Sequence, residues 1–222
     1  MPKISRSFLI LAVITLVLFF DQALKIWIKT NMVLHDGIQV TDWFILFFTE
    51  NNGMAFGIEL FDKLFLTLFR MVAVGVLIWY MHRIKNFPTV RTGYFVAVSL
   101  ITAGAAGNIL DCLFYGVIFD DSMYQVASFL PESGGYSSLF YGKVVDMFYF
   151  PIIDTVWPNW LPILGGKPFV FFQPVFNLAD AAISVGIVIL LLFYRKELSE
   201  TTTSKALKRP TTSPEPPVDE PV

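Results

Sequence analysis

Along the chain, long apolar stretches alternate with short polar interruptions. Residues 8–20 form an almost unbroken apolar run, and the next charges, Asp21 and Lys25, come only near the far end of that stretch. The segments 64–81 (LFLTLFRMVAVGVLIWYM), 94–115 (YFVAVSLITAGAAGNILDCLFY) and 176–194 (FNLADAAISVGIVILLLFY) are similarly apolar. Each is near the roughly 20 residues a helix needs to cross about 30 Å of hydrocarbon. The pattern therefore predicts four transmembrane helices, over 7–28, 64–81, 94–115 and 176–194. Lys3 and Arg6 ahead of the first run would also suit a cleaved signal peptide. No small-x-small cleavage site follows, however, and Asp21 interrupts the exit region, so an uncleaved span is expected.

Between spans one and two, GIQVTDWFILFFTENNGMAFGI places β-branched and aromatic residues around Asn51-Asn52-Gly53, a turn signal in a small hairpin or sheet patch. Such a patch has to lie on the interface or on the helices, because an open sheet edge cannot face lipid. The 116–175 loop is long and rich in Gly, Pro and aromatic residues, either a folded cap or partly mobile. The expected fold class is thus an all-α membrane protein: one four-span domain over 1–196, with a small extracytoplasmic β hairpin or sheet and a long extracytoplasmic loop. The tail, 197–222, has many Pro and Thr and no apolar periodicity, which predicts cytoplasmic disorder.

Composition agrees with a polytopic membrane protein: 55% hydrophobic, 15% charged and mean hydropathy +0.62, where soluble domains are roughly 25% charged. A net charge of −2 gives no basis for holding a polyanion, so nucleic acid is not an expected partner. With Cys112 alone and His only at 35 and 82, an internal disulfide and a structural zinc site are excluded. Outside the spans, ten Lys and Arg (3, 6, 83, 85, 91, 195, 196, 205, 208, 209) fall on one side of the four-span frame and four (29, 63, 143, 167) on the other. This asymmetry puts both termini in the cytoplasm and the loops 29–63 and 116–175 outside.

Ionisable side chains at membrane depth cost at least ~2.5–3.5 kcal/mol each, so each calls for a partner or a purpose. Asp21 and Lys25, four apart, share a helix face, which suits a structural ion pair more readily than a direct catalytic role. In the third helix the small residues 103–107 (AGAAG) permit close helix approach, and Asn108 and Asp111 follow on one face. Asn177 and Asp180 repeat that arrangement in the fourth helix, ahead of Ala181, Ala182, Ser184 and Gly186. Taken alone, either pair reads as interhelical hydrogen-bond glue. Asp146, however, lies among Val144, Val145, Met147 and Phe148, and a carboxylate in such company tends towards its neutral form. Asp146 and Asp180 could then share one proton, one acting as base on a water and the other as acid towards a peptide carbonyl. That chemistry needs no metal, no cofactor and no nucleophilic Ser or Cys.

The strings DQALK (21–25), NNGMAFG (51–57), GNILD (107–111), GKVVDM (142–147) and FNLADAAI (176–183) together closely resemble the lipoprotein signal peptidases, or signal peptidase II, of the bacterial inner membrane. That resemblance implies a membrane aspartyl protease that removes the signal peptide from diacylglyceryl-modified prolipoproteins, just before the lipidated cysteine. It implies Asp146 and Asp180 as the catalytic dyad; Asn51, Gly53, Ala55 and Phe56 as hairpin residues bordering the substrate; and Asn108, Asp111 and Asn177 as polar support around it. Asp21 and Lys25 match positions of architecture or of the lipid end of the site. The expected partners are prolipoprotein substrates and membrane lipid, and the expected state is a monomer.

Three departures stand out. Cys112 occupies the place of the arginine that usually follows GNxxD, removing a planar fork of donors. Met54 replaces a usually small hairpin residue. Roughly 26 extra residues separate GNxxD from the catalytic string. Asp120 keeps the usual spacing from GNxxD, but GKVVDM preserves more of the family string than GVIFDD, which favours Asp146. A proton-coupled transporter would also need intramembrane carboxylates, yet it predicts inverted repeats that these spans do not show. A non-catalytic interaction protein would need only the helix glue.

Overall fold

The structure, a computed structural model, describes residues 5–52 and 63–202. The hairpin positions Gly53, Ala55 and Phe56, with Met54, lie outside the described residues. Helix α1 (Arg6–Asn31) starts where the Ser5 hydroxyl accepts from the Phe8 N–H at 3.1 Å. Its buried residues are Asp21, Lys25, Ile28 and Lys29, while Phe8, Leu16 and Phe19 are more than half exposed. The polar residues of α1 thus face the protein and its apolar ones the lipid, the reverse of a soluble helix.

Helix α2 (Lys63–Ile84) and helix α3 (Thr92–Leu110) follow. From α3 the chain continues without a break through a π-turn (Asp111–Tyr115) into the short α4 (Gly116–Ile118). The helices Arg6–Asn31 and Lys63–Ile84 and the continuous stretch Thr92–Ile118 are each long and apolar enough to cross a membrane. Helix α5 (Leu178–Phe193) has 16 residues, about 24 Å of rise against about 30 Å of hydrocarbon. It bends by 92° into α6 (Arg195–Thr202). The described residues therefore hold three spans, or four if this bent pair counts as one. Helix α5 begins later than the expected 176 because Val175 and Phe176 pair as a strand and Asn177 becomes the cap. Glu197 to Thr202, expected to be disordered, belong to α6. Arg91 fixes the bend, its guanidinium donating to Glu197 and, at 2.5 Å, to the Phe193 carbonyl.

The expected small hairpin or sheet takes the form of two small antiparallel sheets, so the helices are not the whole of the fold. Strands β1 (Gly37–Thr41), β2 (Phe44–Asn51), β3 (Val144–Tyr149) and β6 (Val175–Phe176) pair antiparallel in the order β1-β2-β3-β6. Strands β4 (Ile153–Val156) and β5 (Pro168–Phe171) form a separate hairpin. The β1–β2 turn falls at Asp42-Trp43, not at Asn51-Asn52-Gly53, and Asn51 is the last residue of β2, opposite Val144. Phe150 stacks on Phe44 at 4.9 Å and on Trp43 at 6.0 Å, tying the hairpin tip to the end of β3.

Two apolar clusters lie at opposite ends of the bundle. One joins Ile28 of α1 and Met32, just past its end, to Phe48, Tyr115, Val145 and Met147 beneath the sheet. The other joins Met81, Ile84, Tyr94 and Phe95 to Leu190. Between them α3 and α5 meet at small residues. A Cβ on Gly104 would lie 2.2 Å from the Ala179 carbonyl oxygen, and one on Gly186 would lie 2.7 Å from that of Ala97. The segment 119–141 is a folded cap hydrogen-bonded onto the π-turn: Gly142, Phe140 and Ser137 N–H groups donate to the carbonyls of Cys112, Leu113 and Gly116. Those bonds satisfy carbonyls at a place where the regular helical pattern is broken.

Candidate active site

The polar residues of three helices and two strands converge where the bundle meets the sheet. Lys25 is the hub. Its Nζ, fully buried, lies 2.9 Å from Asp21 Oδ2 and 2.8 Å from Asp111 Oδ2, and it donates to Asn108 Oδ1 at 2.9 Å. A buried ammonium is tolerable only with such complete pairing. Asp21 also accepts from the Ala179 N–H at 2.9 Å, placing its charge at the N-terminus of α5, where the helix dipole favours an anion. Asp111 accepts from the Val145 N–H at 3.3 Å, which fastens β3 to the bundle one residue before Asp146.

Asn177 organises the other half. Its Oδ1 accepts from the Asp180 N–H at 2.9 Å, and Asp180 Oδ2 accepts from the Asn177 N–H at 3.4 Å, a reciprocal cap that fixes the first turn of α5. Its amide nitrogen donates to Asp146 Oδ1 at 2.7 Å and to Asn108 Oδ1 at 3.1 Å. Asn108 in turn donates to Asp180 Oδ1 at 2.8 Å. The Asp146 and Asp180 carboxylates are thereby linked through two asparagine amides, one from α3 and one from the α5 cap. The side chain of Asn51, at the end of β2, lies close enough to Asp146 to favour its ionised form. Burial, followed by the negative charge of Asp180, pushes the Asp146 carboxyl up to about 7, against the opposing pull of Asn177, Lys25 and Asn51.

The structure thus brings together Asp21, Lys25, Asn51, Asn108, Asp111, Asp146, Asn177 and Asp180. The rival position Asp120 lies in the 119–141 cap, where its Oδ1 accepts from the Ser128 N–H at 2.6 Å. Beside Cys112, which holds the position of the expected arginine, lies a guanidinium from another helix, with Arg70 Nη1 3.6 Å from the sulfur. Gln22 was not singled out in the sequence. Its amide nitrogen donates to Asp111 Oδ1 at 2.9 Å and its Oε1 accepts from the Tyr115 hydroxyl at 3.1 Å. The signal was present, since Gln22 is a further polar residue next to Asp21 inside an apolar span. Among the described residues no cluster of three or more His, Cys, Asp or Glu is arranged to hold a metal ion.

Membrane-length helices with a buried carboxylate centre under a sheet mark an integral membrane protein. Residues 13–195 match the family model for signal peptidase (SPase) II. The chain is 48% identical over 199 residues to a lipoprotein signal peptidase of Porphyromonas gingivalis, covering 90% of this chain and 88% of the relative. It is 36% identical over 191 residues to a lipoprotein signal peptidase of Amoebophilus asiaticus, covering 83% and 77% of the two chains. Among solved structures it resembles a bacterial membrane enzyme determined by the in meso method at 2.3 Å, with TM-score 0.56 and 22% identity over 90% of this chain and 94% of that one, a likeness of fold. The chain belongs to the signal peptidase II family, a family of peptidases.

Proposed function

We propose that this peptidase is an aspartic endopeptidase that removes the signal peptide from diacylglyceryl-modified prolipoproteins, cutting before the lipidated cysteine. The observation that carries the reading is the linked pair of Asp146 and Asp180, with Asp146 buried and held near neutrality. Below about pH 7 Asp146 carries its proton. Asp146, the carboxyl that favours the proton, gives it to the scissile carbonyl oxygen. Asp180 takes a proton from the attacking water, and Asn108 and Asn177 hold both carboxylates in register while the charge moves. The C–N bond then breaks as Asp180 passes that proton to the leaving amine nitrogen, and a hydroxyl of the tetrahedral intermediate returns its proton to Asp146, leaving the carboxylic acid product. Asn51, exposed at the mouth of the site, borders the peptide together with Gly53, Ala55 and Phe56.

In this reading both termini are cytoplasmic and the site lies at the outer face of the bacterial inner membrane, consistent with the distribution of Lys and Arg. A lipid-bearing precursor reaches the site by sliding within the bilayer, and the enzyme acts as a monomer. The test is cleavage of matched precursors with and without the diacylglyceryl group in one detergent, with the cut position read by mass spectrometry. Lipidated precursor is cut before its modified cysteine, and the rate falls as pH rises past about 7, where Asp146 loses its proton. Equal rates on both precursors, or a rate that climbs through that range, would refute the assignment.

A further inference from the structure

A second buried cluster of charge lies beside the site, on the other side of β2. Lys29 of α1, four residues beyond Lys25, is fully buried, and its Nζ lies 2.5 Å from Glu50 Oε1 and 2.9 Å from Ser122 Oγ. Glu50 Oε2 meets Lys143 Nζ at 2.8 Å. The Lys29 ammonium is enclosed by rings, 5.8 Å from the centroid of Phe48, 5.3 Å from Phe119 and 5.1 Å from Tyr136. Two of those rings and Ser122 come from the end of α4 and the 119–141 cap. The cap is also bound to α1 and the loop after it by its main chain, since Ala127 N–H donates to the Lys29 carbonyl and Leu34 N–H to that of Ser122. Among the described residues none of these side chains hydrogen-bonds or ion-pairs with Asp146 or Asp180, yet the cluster grips β2 at the residue before Asn51, whose side chain favours the ionised form of Asp146.

We infer that Glu50 is a positioning residue: the Lys29–Glu50–Lys143 ion pairs, sealed by Ser122 and Tyr136 of the 119–141 cap, fix the end of β2 so that Asn51 reaches the Asp146 carboxylate. The register supports this. Glu50 lies opposite Val145 and Asn51 opposite Val144, and between Leu46 and Thr49 the β2–β3 ladder is irregular. The end of β2 is therefore held to β3 beyond a break in the ladder and needs a second fixture. Lys29 supplies it from a membrane helix, and the cap keeps water from the pair, so that it acts at short range with little screening. The role of the 119–141 segment is then to make this clamp rigid, and the inference rests on the catalytic reading of Asp146 given above.

The experiment is a mutant cycle with Asn51→Ala, following cleavage of a lipidated precursor by purified full-length enzyme. Glu50→Gln removes the counter-charge but leaves Lys29 buried and unpaired. A second variant, Lys29→Met with Glu50→Leu, removes both buried charges and leaves Lys143, about one-quarter exposed, free to turn to solvent. Ser122→Ala is a third, milder variant should neither accumulate as folded protein. Each is expected to lower kcat by about tenfold or more in the wild-type background. In the Asn51→Ala background each is expected to change kcat less than about twofold, because the residue through which the clamp acts is gone.

Asp146 is faced by Asp180 from α5, by Lys25 from α1 and by the amides of Asn177 and Asn51. Withdrawing the Asn51 side chain removes an influence that favours the ionised form, so the alkaline limb of the pH–rate profile moves to higher pH, as in Asn51→Ala itself. Full activity in the clamp variants, an unchanged Asn51→Ala enzyme, or equal losses in both backgrounds with an unmoved limb would overturn the inference. An active Asp146→Asn enzyme would instead remove the catalytic reading on which it rests.

Discussion

Replacing Asp146 with Asn keeps the shape of the side chain and its hydrogen bond with Asn177 while removing a group that titrates. In the folded protein burial and the charge of Asp180 raise the carboxyl from 3.8 to about 7, worth on the order of 4 kcal/mol. The folded state therefore binds the proton more tightly than the unfolded chain does. The associated stability is fully present below about pH 4, is lost as pH rises through about 7, and stays lost above it. The residue is only 3% exposed, so little is screened by solvent. Asp146→Asn does not titrate, and its stability relative to wild type should grow by up to about 4 kcal/mol between pH 4 and pH 8. For a chain of this length that is on the order of 10 °C in Tm. Thermal unfolding in one detergent, followed by tryptophan fluorescence across that range, measures the difference directly. A difference that stays flat, or that grows towards acid, would refute the claim that burial and Asp180 hold Asp146 protonated.

Other outcomes follow from the same geometry. Lys25→Met leaves Asp21 and Asp111 buried without their cation and should cost about 3–5 kcal/mol, read by denaturant or thermal unfolding. Gly104→Ala forces a methyl against the Ala179 carbonyl and should destabilise by about 1–3 kcal/mol, whereas Gly75→Ala, with nothing within 4 Å among the described residues, should be neutral or slightly stabilising. Cys112→Ala should keep substantial turnover, because the dyad supplies both proton transfers and the attacking group is water; lost turnover in a folded Cys112→Ala enzyme would point to covalent cysteine chemistry.

The parts of this protein governed by local chemistry were legible in its sequence. Three of the four expected spans match helices because apolar length alone specifies them. The carboxylates stood out because charge among Val, Met and Phe has few bland explanations. Pairing over long separations was not legible. Strand β3 is buried over Val144 to Met147, so it shows no alternation, and it pairs with β2 across nearly a hundred residues. Asn51-Asn52-Gly53 looks like a hairpin turn by residue type, but the apolar run of β2 continues into pairing with β3, and the turn falls earlier, at Asp42-Trp43. Lys29, Glu50 and Ser122 gave no signal, because nothing in the sequence relates a lysine on a helix to a glutamate 21 residues later and a serine 93 residues later.

Whether Asp146 and Asp180 act as one catalytic unit is read from turnover of a diacylglyceryl-modified precursor by purified, folded Asp146→Asn, Asp180→Asn, the double variant and Asp120→Asn. A dyad gives no detectable cleavage by either single variant, a double variant scarcely worse than either, and near-normal cleavage by Asp120→Asn. Near-normal cleavage by Asp146→Asn or Asp180→Asn would contradict it, and a dead Asp120→Asn beside an active Asp146→Asn would move the chemistry to Asp120.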